Sequence, residues 1–481
     1  MIPLVVVDSP KRWPLHIPGT ELVSSYDYLA DAQFAQGPGR KVFNLCRSFK
    51  YQAAGYYVSL LAEARGHRPL PSISAIQDLK LAPVVKLASQ DLDDLMQINL
   101  RRIKSDSFEL SVYFGHNLAR AHERLALAVF NAFPAPLLRA RFEHSGRWRL
   151  TSVRVLGLSD VPDTHRPFLI EQATRYLKRT PRKSKSSAAT RFDLAILHDP
   201  ADPLPPSNRQ ALKHFIDAGD ALGLGCDLIE KDAYGRIAEY DALFIRETTS
   251  VNHHTYRFAR RASAAGMVVI DDPQSILRCT NKVFLAETLT RHRLAMPKTL
   301  ILTRDNAISG LRSLGFPCVI KRPDSAFSAG VFRIDSENEL AATLDAQFVH
   351  TDLLIAQEYV PTEFDWRVGV ISGEPIFVCR YGMAPDHWQI VKHDDAGAHE
   401  GDFESLSVAD APRDVVKLAV RAAGLMGDGL YGVDLKTVNG KAVVIEVNDN
   451  PNIDAGVEDA ALGGELYRHI MQHFLTKLVL R

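Results

Sequence analysis

At 481 residues the chain is too long for one compact core, and roughly two to four domains are expected. Its 46% apolar and 24% charged residues are ordinary for a globular protein, and a formal net charge of +0 excludes bulk attraction to nucleic acid or membrane as the basis of partner choice. No run approaches the roughly 18 to 20 apolar residues of a membrane span, and the start "MIPLVVVDSPKRWP" lacks the features of a signal peptide, so a cytoplasmic location is expected.

In chain order, the strand-like runs "LVVVD" (4–8) and "KVFNLC" (41–46) lead into "YQAAGYYVSLLAEARGH", whose apolar residues recur at helical spacing up to Gly66. The strand "SFELSVYFG", the helical "NLARAHERLALAVFNAF" and the strands "PLLRARFEH" and "RWRLTSVRVLGL" follow. They complete an α/β domain over residues 1–178 with no chemical motif of its own. Tyr51, Tyr56 and Tyr57 read first as core and second as a stacking surface. The basic, Ser-rich residues 179–190 carry no apolar periodicity and are expected to be a solvated linker rather than a nucleic-acid contact.

Beyond the linker, "FDLAILHD", "CDLIE", "YDALFIRET" and "MVVIDDP" alternate with helices, so residues 191–272 are expected to form a small parallel sheet. Residues 273–481 change to an α+β pattern, with the strand "PKTLIL" and hairpins about Gly373 and about Asn439-Gly440. No internal repeat is evident. The five cysteines, Cys46, Cys226, Cys279, Cys318 and Cys379, are odd in number, far apart and set in apolar runs, which points to small core residues rather than disulfides or a zinc site.

The chemistry concentrates in "LYGVDLKTVNGKAVVIEVNDNPN" (430–452). Residues two apart on a strand share a face, so Glu446 and Asn448 point the same way, and the Asn-Gly turn folds Asp434 back toward them. Two carboxylates and an amide suit Mg²⁺ or Mn²⁺, which accept oxygen ligands and complete their shell with water and substrate phosphates. The same residues would also serve as a polar strand end that supports a turn.

Lys282 lies near the start of a helix and Lys321 ends the apolar strand "PCVIK"; an ammonium at a buried strand end is costly unless it faces an anion such as phosphate. The small-residue run "DSAFSAGVFRI" follows, with Ser328 in it, and its backbone N–H groups could close over phosphate oxygens or form a plain turn. "LLIAQEYVP" is apolar up to Gln357-Glu358-Tyr359-Val360, where an edge backbone could meet adenine, and Asp365 and Arg367 come next. Arg367 is expected to pair with Glu363 or Asp365. His253 and His254, after "RETTSVN", could reach a cleft but read first as a solvated pair.

This succession resembles the ATP-grasp superfamily, and within it the RimK-like carboxylate-amine ligases, over about residues 192–478. The N-terminal half is similar to the domain that precedes ATP-grasp in some RimK-like proteins. The resemblance implies an ATP-grasp fold, with an α/β domain ahead of two α+β subdomains that enclose ATP. It implies that Lys282, Lys321 and Ser328 bind ATP phosphates, that Gln357, Glu358, Tyr359 and Val360 meet adenine, that Asp365 sits near ribose, and that Asp434, Glu446 and Asn448 hold two Mg²⁺ ions. The segment "YGMAPDHWQIVKH" departs from the corresponding run of RimK, and Arg380, Lys392 and His393 would face the acyl phosphate and the acceptor. The implied activity is an ATP-dependent amide or peptide bond formation through an acyl phosphate, with ADP and phosphate released. A carboxylate substrate and an amine acceptor (amino acid, peptide or protein terminus) are the expected partners, nucleic acid and membrane are not, and homo-oligomerisation is left open. An ATP-grasp-type kinase of small molecules and a nonenzymatic nucleotide-binding module are the alternatives.

Overall fold

The computed structural model describes residues 2–480 apart from 36–39, 82–84, 87, 90–91, 178–190, 325–329, 385–386 and 395–396, and at 32, 35, 177, 238, 391–394 and 397–400 it describes the backbone alone. The chain divides into two compact units, residues 1–184 with Arg481 and residues 185–480. Among the described residues no helix is long and apolar enough to cross a membrane, and all five cysteines are free and buried.

In the first unit a parallel sheet runs in the order Glu21–Ser24, Leu4–Val7, Lys41–Asn44, Arg68–Leu70. Leu4–Val7 is apolar throughout and buried on both faces, as a central parallel strand must be. Tyr28, Val58 and Ala62 cover one face, and the larger core, with Leu110, Phe130 and Phe142, fills the space toward an antiparallel sheet of Ser107–Tyr113, Leu137–Ser145 and Arg147–Val155. Tyr51, Tyr56 and Tyr57 are not core: their rings meet edge to face, with Tyr51 69% and Tyr57 37% exposed.

The second unit holds three larger sheets. The first is parallel, in the order Val268–Ile270, Ala242–Ile245, Phe192–Leu197, Leu224–Ile229. The second is antiparallel, in the order Thr299–Leu302, Leu354–Glu358, Cys318–Lys321, Val331–Ile334. The third, also antiparallel, runs Phe403–Leu406, Glu374–Gly382, Phe364–Ile371, Leu430–Val438, Lys441–Asp449. One face of this last sheet packs Trp366, Val368, Val433 and Leu435 against the amphipathic helix Arg413–Met426. At one end its other face buries Ile376, Phe377 and Leu430 under the C-terminal helix Gly464–Val479.

The parallel sheets of the two units share one topology. Numbered in chain order within each unit, their strands both read 2-1-3-4. Residues 51–80 and 251–280 also repeat helix, Gly, strand and capped helix at the same spacing and with nearly the same burial pattern. The expectation of no internal repeat is thus overturned. Between residues 41–80 and 241–280 the pairs Tyr56/Tyr256, Ala62/Ala262, Ala64/Ala264, Gly66/Gly266 and Ile76/Ile276 are the identities, too sparse to stand out.

Candidate active site

Two hairpins build the site, and a β-bulge in each decides which side chains reach it. In the first, Asn439 (φ 49°) and Gly440 (φ 73°) form the two-residue turn, with Val438 opposite Lys441. Strict pairing from that turn would set Ile445 against Asp434 and turn Glu446 toward the helix-covered core. Instead the register shifts by one: Leu435 faces Val444, and Asp434 faces Glu446. Because one residue of slip exchanges the two faces of a strand, the bulge at Ile445 moves Glu446 and Asn448 together to the side of Asp434. The convergence expected of these three residues is present. Asn448 Nδ2 donates to Asp434 Oδ2 at 3.1 Å, which leaves its amide oxygen available to a cation.

The second bulge acts the other way. Around the turn at Ser372-Gly373, Val370 faces Pro375 but Gly369 faces Phe377, so Ile376 is the extra residue. Unbulged pairing would set Arg380 opposite Asp365 on the site face; the bulge sets it opposite Trp366. Arg380 accordingly lies on the other face, 4.0 Å above the Phe364 ring and paired with Glu404 at 2.8 Å. It is not brought to the cluster. Tyr381 takes the site face in its place: its hydroxyl donates to the buried Glu458. The Arg367 guanidinium lies 5.2 Å from the Tyr381 ring centre. Lys392 lies in the strand Val391–Asp394, of which the backbone alone is described, and Ser328 lies outside the described residues.

Arg367 pairs with neither Glu363 nor Asp365. It stands directly opposite Asp434 in the ladder and grips it with two hydrogen bonds of 2.7 and 3.0 Å. Asp365 instead holds Lys436 at 2.6 Å, and Lys436 also reaches Thr362. Neither partnership shows in chain order, because each spans some 70 residues.

Both lysines arrive at this cluster. The helix Lys282–Arg291 begins with the Asn281 side chain accepting from Val283 N and Phe284 N. Its first turn is docked on the chain after Cys318–Lys321 by Lys282 N to Pro323 O at 2.9 Å and Asn281 Nδ2 to Asp324 Oδ1 at 2.8 Å. Lys282 Nζ therefore meets Glu446 Oε1 at 2.8 Å. Lys321 Nζ donates to Gln357 Oε1 at 2.8 Å, and Gln357 Nε2 donates to Thr299 Oγ1. Lys282, Lys321, Gln357 and Thr299 border a cleft whose apolar walls include Leu285, Met296 and Ile355. Glu358 is exposed at the end of its strand, and its N–H bonds Lys298 O at 2.9 Å. Tyr359 lies under the Arg333 guanidinium at 4.4 Å, and Val360 follows it.

The charges are mutually tuned. Burial alone would raise the Glu446 carboxyl, but Lys282, Lys321 and Arg367 outweigh it and hold Glu446 below the usual carboxylate range. Asp434 is raised by burial in spite of Arg367, with Glu446 and Asp365 adding to the rise. Burial pulls Lys321 down to about 8, with Glu446 opposing the fall. The oxygen-rich end of "VVIEVNDNPN" thus divides in two. Glu446 and Asn448 face the cluster, whereas Asp449 accepts from Thr249 Oγ1 at 2.7 Å and Asn450 bonds both Arg246 and the Glu247 carbonyl at 2.6 Å. Arg246 is fully buried there; burial lowers it to about 10, and Asp449 is raised to about 7 by the same cause.

Residues 25–172 match the family described as the RimK-like ATPgrasp N-terminal domain. Residues 279–470 match the RimK-like ATP-grasp domain. Together the matches span more than half of the chain. The chain carries both of these RimK-like domains. Among its relatives is the probable alpha-L-glutamate ligase 2 of Pseudoalteromonas atlantica, 26% identical over 53% of this chain and 87% of that protein. The alpha-aminoadipate–LysW ligase LysX of Saccharolobus solfataricus is 29% identical over 39% of this chain and 67% of that one. A solved D-alanine–D-alanine ligase from Bacillus anthracis superposes with a TM-score of 0.47 at 16% identity, covering 61% of this chain and 98% of that one. Within the RimK-like ATP-grasp domain lie Lys282, Lys321 and the ladder of Arg367, Asp434, Glu446 and Asn448.

Proposed function

We propose that this chain is an ATP-dependent carboxylate–amine ligase that forms an amide or peptide bond through an acyl phosphate and releases ADP and phosphate. The observation that carries the proposal is the meeting of Asp434, Glu446 and Asn448 with Lys282 beside the cleft that Lys321 and Gln357 border. Two carboxylates and one amide oxygen fit Mg²⁺ or Mn²⁺, and we assign them two such ions. When bound, the ions would neutralise the charge that accumulates on a transferring γ-phosphoryl group.

The protein's own groups do the positioning. Lys282 and Lys321 are placed for the phosphates, the backbone of Gln357 to Val360 for adenine, and Asp365, steadied by Lys436, for ribose. Arg367 fixes the rotamer of Asp434, and Tyr381 with Glu458 closes the same face. A tetrahedral oxyanion, formed when an amine attacks the acyl phosphate, needs a cation in a water-poor site, and Arg367 is the guanidinium on the correct face. The relatives' printed names include glutamate and α-aminoadipate, which supports an amino acid, peptide or protein terminus among the substrates here.

In the first unit a cavity bordered by Arg101, Lys104, His144 and Trp148 joins positive charge to an aromatic wall, which supports a recognition role for residues 1–178. Residues 191–272 and 273–481 would then supply the acceptor side and the nucleotide side, with 179–190 as the tether. Use of ATP and five unpaired cysteines support a cytoplasmic site of action. The test is incubation with ATP, Mg²⁺ and pooled amino acids and peptides, read by mass spectrometry for a condensation product. ADP is the expected nucleotide product and hydroxylamine should trap a hydroxamate; stoichiometric AMP and pyrophosphate would overturn the acyl-phosphate route.

A further inference from the structure

In the parallel sheet of the second unit, successive connections leave Phe192–Leu197 in opposite directions, to Leu224–Ile229 on one side and Ala242–Ile245 on the other. Ligand clefts form outside the carboxyl ends of parallel strands where the order reverses in this way. The loop that leaves Ile245 there carries Glu247, His253 and His254, and their donor atoms lie within 4.8 Å of one another.

Three features mark this cluster as built for a ligand. Glu247 is only 3% exposed, and its Oε1 approaches His254 Nε2 to 2.5 Å. Yet the other carboxylate oxygen, Oε2, is buried with no hydrogen-bond partner, an arrangement that folding alone does not favour. His253 Nδ1 lies 3.1 Å from the buried hydroxyl of Thr255, which can fix the ring and leave Nε2 as a lone pair, the outer-shell arrangement typical of metal-bound imidazoles. His253 has extended backbone (φ −105°, ψ 163°) and His254 opens the helix His254–Ala264, so neighbouring side chains converge, with ring centres 3.9 Å apart.

The frame is rigid. Arg246 is held by Ser207, Asn450 and the carbonyls of Pro206 and Pro451, and Asn450 Nδ2 grips the Glu247 carbonyl. The matching loop of the first unit carries Arg47, Ala53 and Ala54 at the three positions and folds to the same pattern. The acid and the two imidazoles are therefore not required to make the turn.

We infer that Glu247, His253 and His254 hold a transition-metal ion of the zinc class. Two imidazole nitrogens and one carboxylate oxygen suit such an ion and not Mg²⁺, which distinguishes this site from the all-oxygen set of Asp434, Glu446 and Asn448. Three protein ligands leave a coordination position open.

The test uses the full chain, stripped with chelator, held in excess Mg²⁺ and titrated with Co²⁺ as a visible-absorbing probe. One equivalent should bind, develop d–d bands and be displaced by Zn²⁺. Glu247→Gln and His253→Ala should each weaken it by at least the roughly 10- to 100-fold expected for Thr255→Val, while Glu446→Gln should bind Co²⁺ as the parent does. His253 is half-buried where Glu247 is buried, so His253→Ala decides the matter if Glu247→Gln does not fold. No tight equivalent, an equivalent unchanged in His253→Ala, or one abolished by Glu446→Gln would overturn the inference.

Discussion

In residues 41–80 the strand Lys41–Asn44 runs through a loop into the helix Ala54–Ala64, turns at the left-handed Gly66, continues as Arg68–Leu70 and ends in a helix capped by Ser72. In residues 241–280 the strand Ala242–Ile245, the helix His254–Ala264, Gly266, the strand Val268–Ile270 and a helix capped by Asp272 follow the same course. The helices bury the same positions, Val58 and Ala62 in one and Phe258 and Ala262 in the other. What differs is the loop at the carboxyl end of the first strand. One copy is pinned and rich in donor atoms; the other ends in Arg47, Ala53 and Ala54. A backbone plan set by apolar spacing thus recurs while the chemistry carried on it does not, and catalytic work is expected from the second unit alone.

The strongest way to break this contrast is substitution at the proposed metal ligands. Glu446→Gln should lower turnover by roughly 100-fold or more, whereas Arg47→Ala in the first unit should leave it within about twofold. Asp434→Asn should be as damaging to the rate and should also cost stability, up to about 3 kcal/mol, because Arg367 would be left buried without its counter-charge. Near-parental rates for Glu446→Gln at saturating ATP and low Mg²⁺ would refute the metal assignment.

A second, smaller effect separates recognition from chemistry. A fragment that begins at Arg191, with the parallel strand Phe192–Leu197 intact, should bind ATP and Mg²⁺ about as tightly as the full chain yet lose most ligation of the true substrate. A soluble fragment with full ligase activity would remove any role for the first unit in recognition.

How much of this was legible in the sequence varies with the kind of interaction. Strand parity set Glu446 and Asn448 on one face and the Asn439-Gly440 turn folded Asp434 back to their level, both local rules, but the face that Glu446 and Asn448 share with Asp434 was set by a bulge. The bulges at Ile445 and Ile376 were not legible: each is a single residue whose pairing depends on the neighbouring strand, and one of them carries Arg380 to the far face. At the second bulge Gly369 offers the one trace. A Cβ there would lie 2.1 Å from the Phe377 ring, so only glycine fits. The partnerships of Arg367 with Asp434 and Lys436 with Asp365 were hidden by sequence distance, and the repeat was hidden because it conserves burial rather than identity.

A third prediction uses Lys321, proposed to meet the ATP phosphates. Its ammonium, lowered by burial to about 8 from an ordinary 10.5, is lost as pH rises through about 8, and ATP affinity should fall by up to roughly tenfold per pH unit above that. Stability carries the opposite sign. Between about 8 and 10.5 the unfolded chain binds more protons at this residue than the folded one, so its contribution to stability rises with pH across that window. Calorimetric ATP titrations at stepped pH should show the fall in the parent and a flat profile in Lys321→Met. An equal slope in both would remove Lys321 from the phosphates.

The smallest effect tests the shared backbone plan itself. Gly66 (φ 68°) and Gly266 (φ 70°) each end a helix in the left-handed region, each directly ahead of a residue whose N–H bonds an alanine carbonyl, His67 to Ala62 at 2.8 Å and Met267 to Ala262 at 3.0 Å. A Cβ at Gly266 would meet no atom within 4 Å, so alanine there pays only the conformational cost, about 1 kcal/mol. If the two segments are one plan, Gly66→Ala should lower stability by the same amount, and neither change should alter turnover at a temperature well below melting. Chemical denaturation of the two variants, followed by a probe in each unit, measures both numbers. A cost at Gly66 several times that at Gly266 would mean that the two turns resemble each other in outline while resting on different contacts.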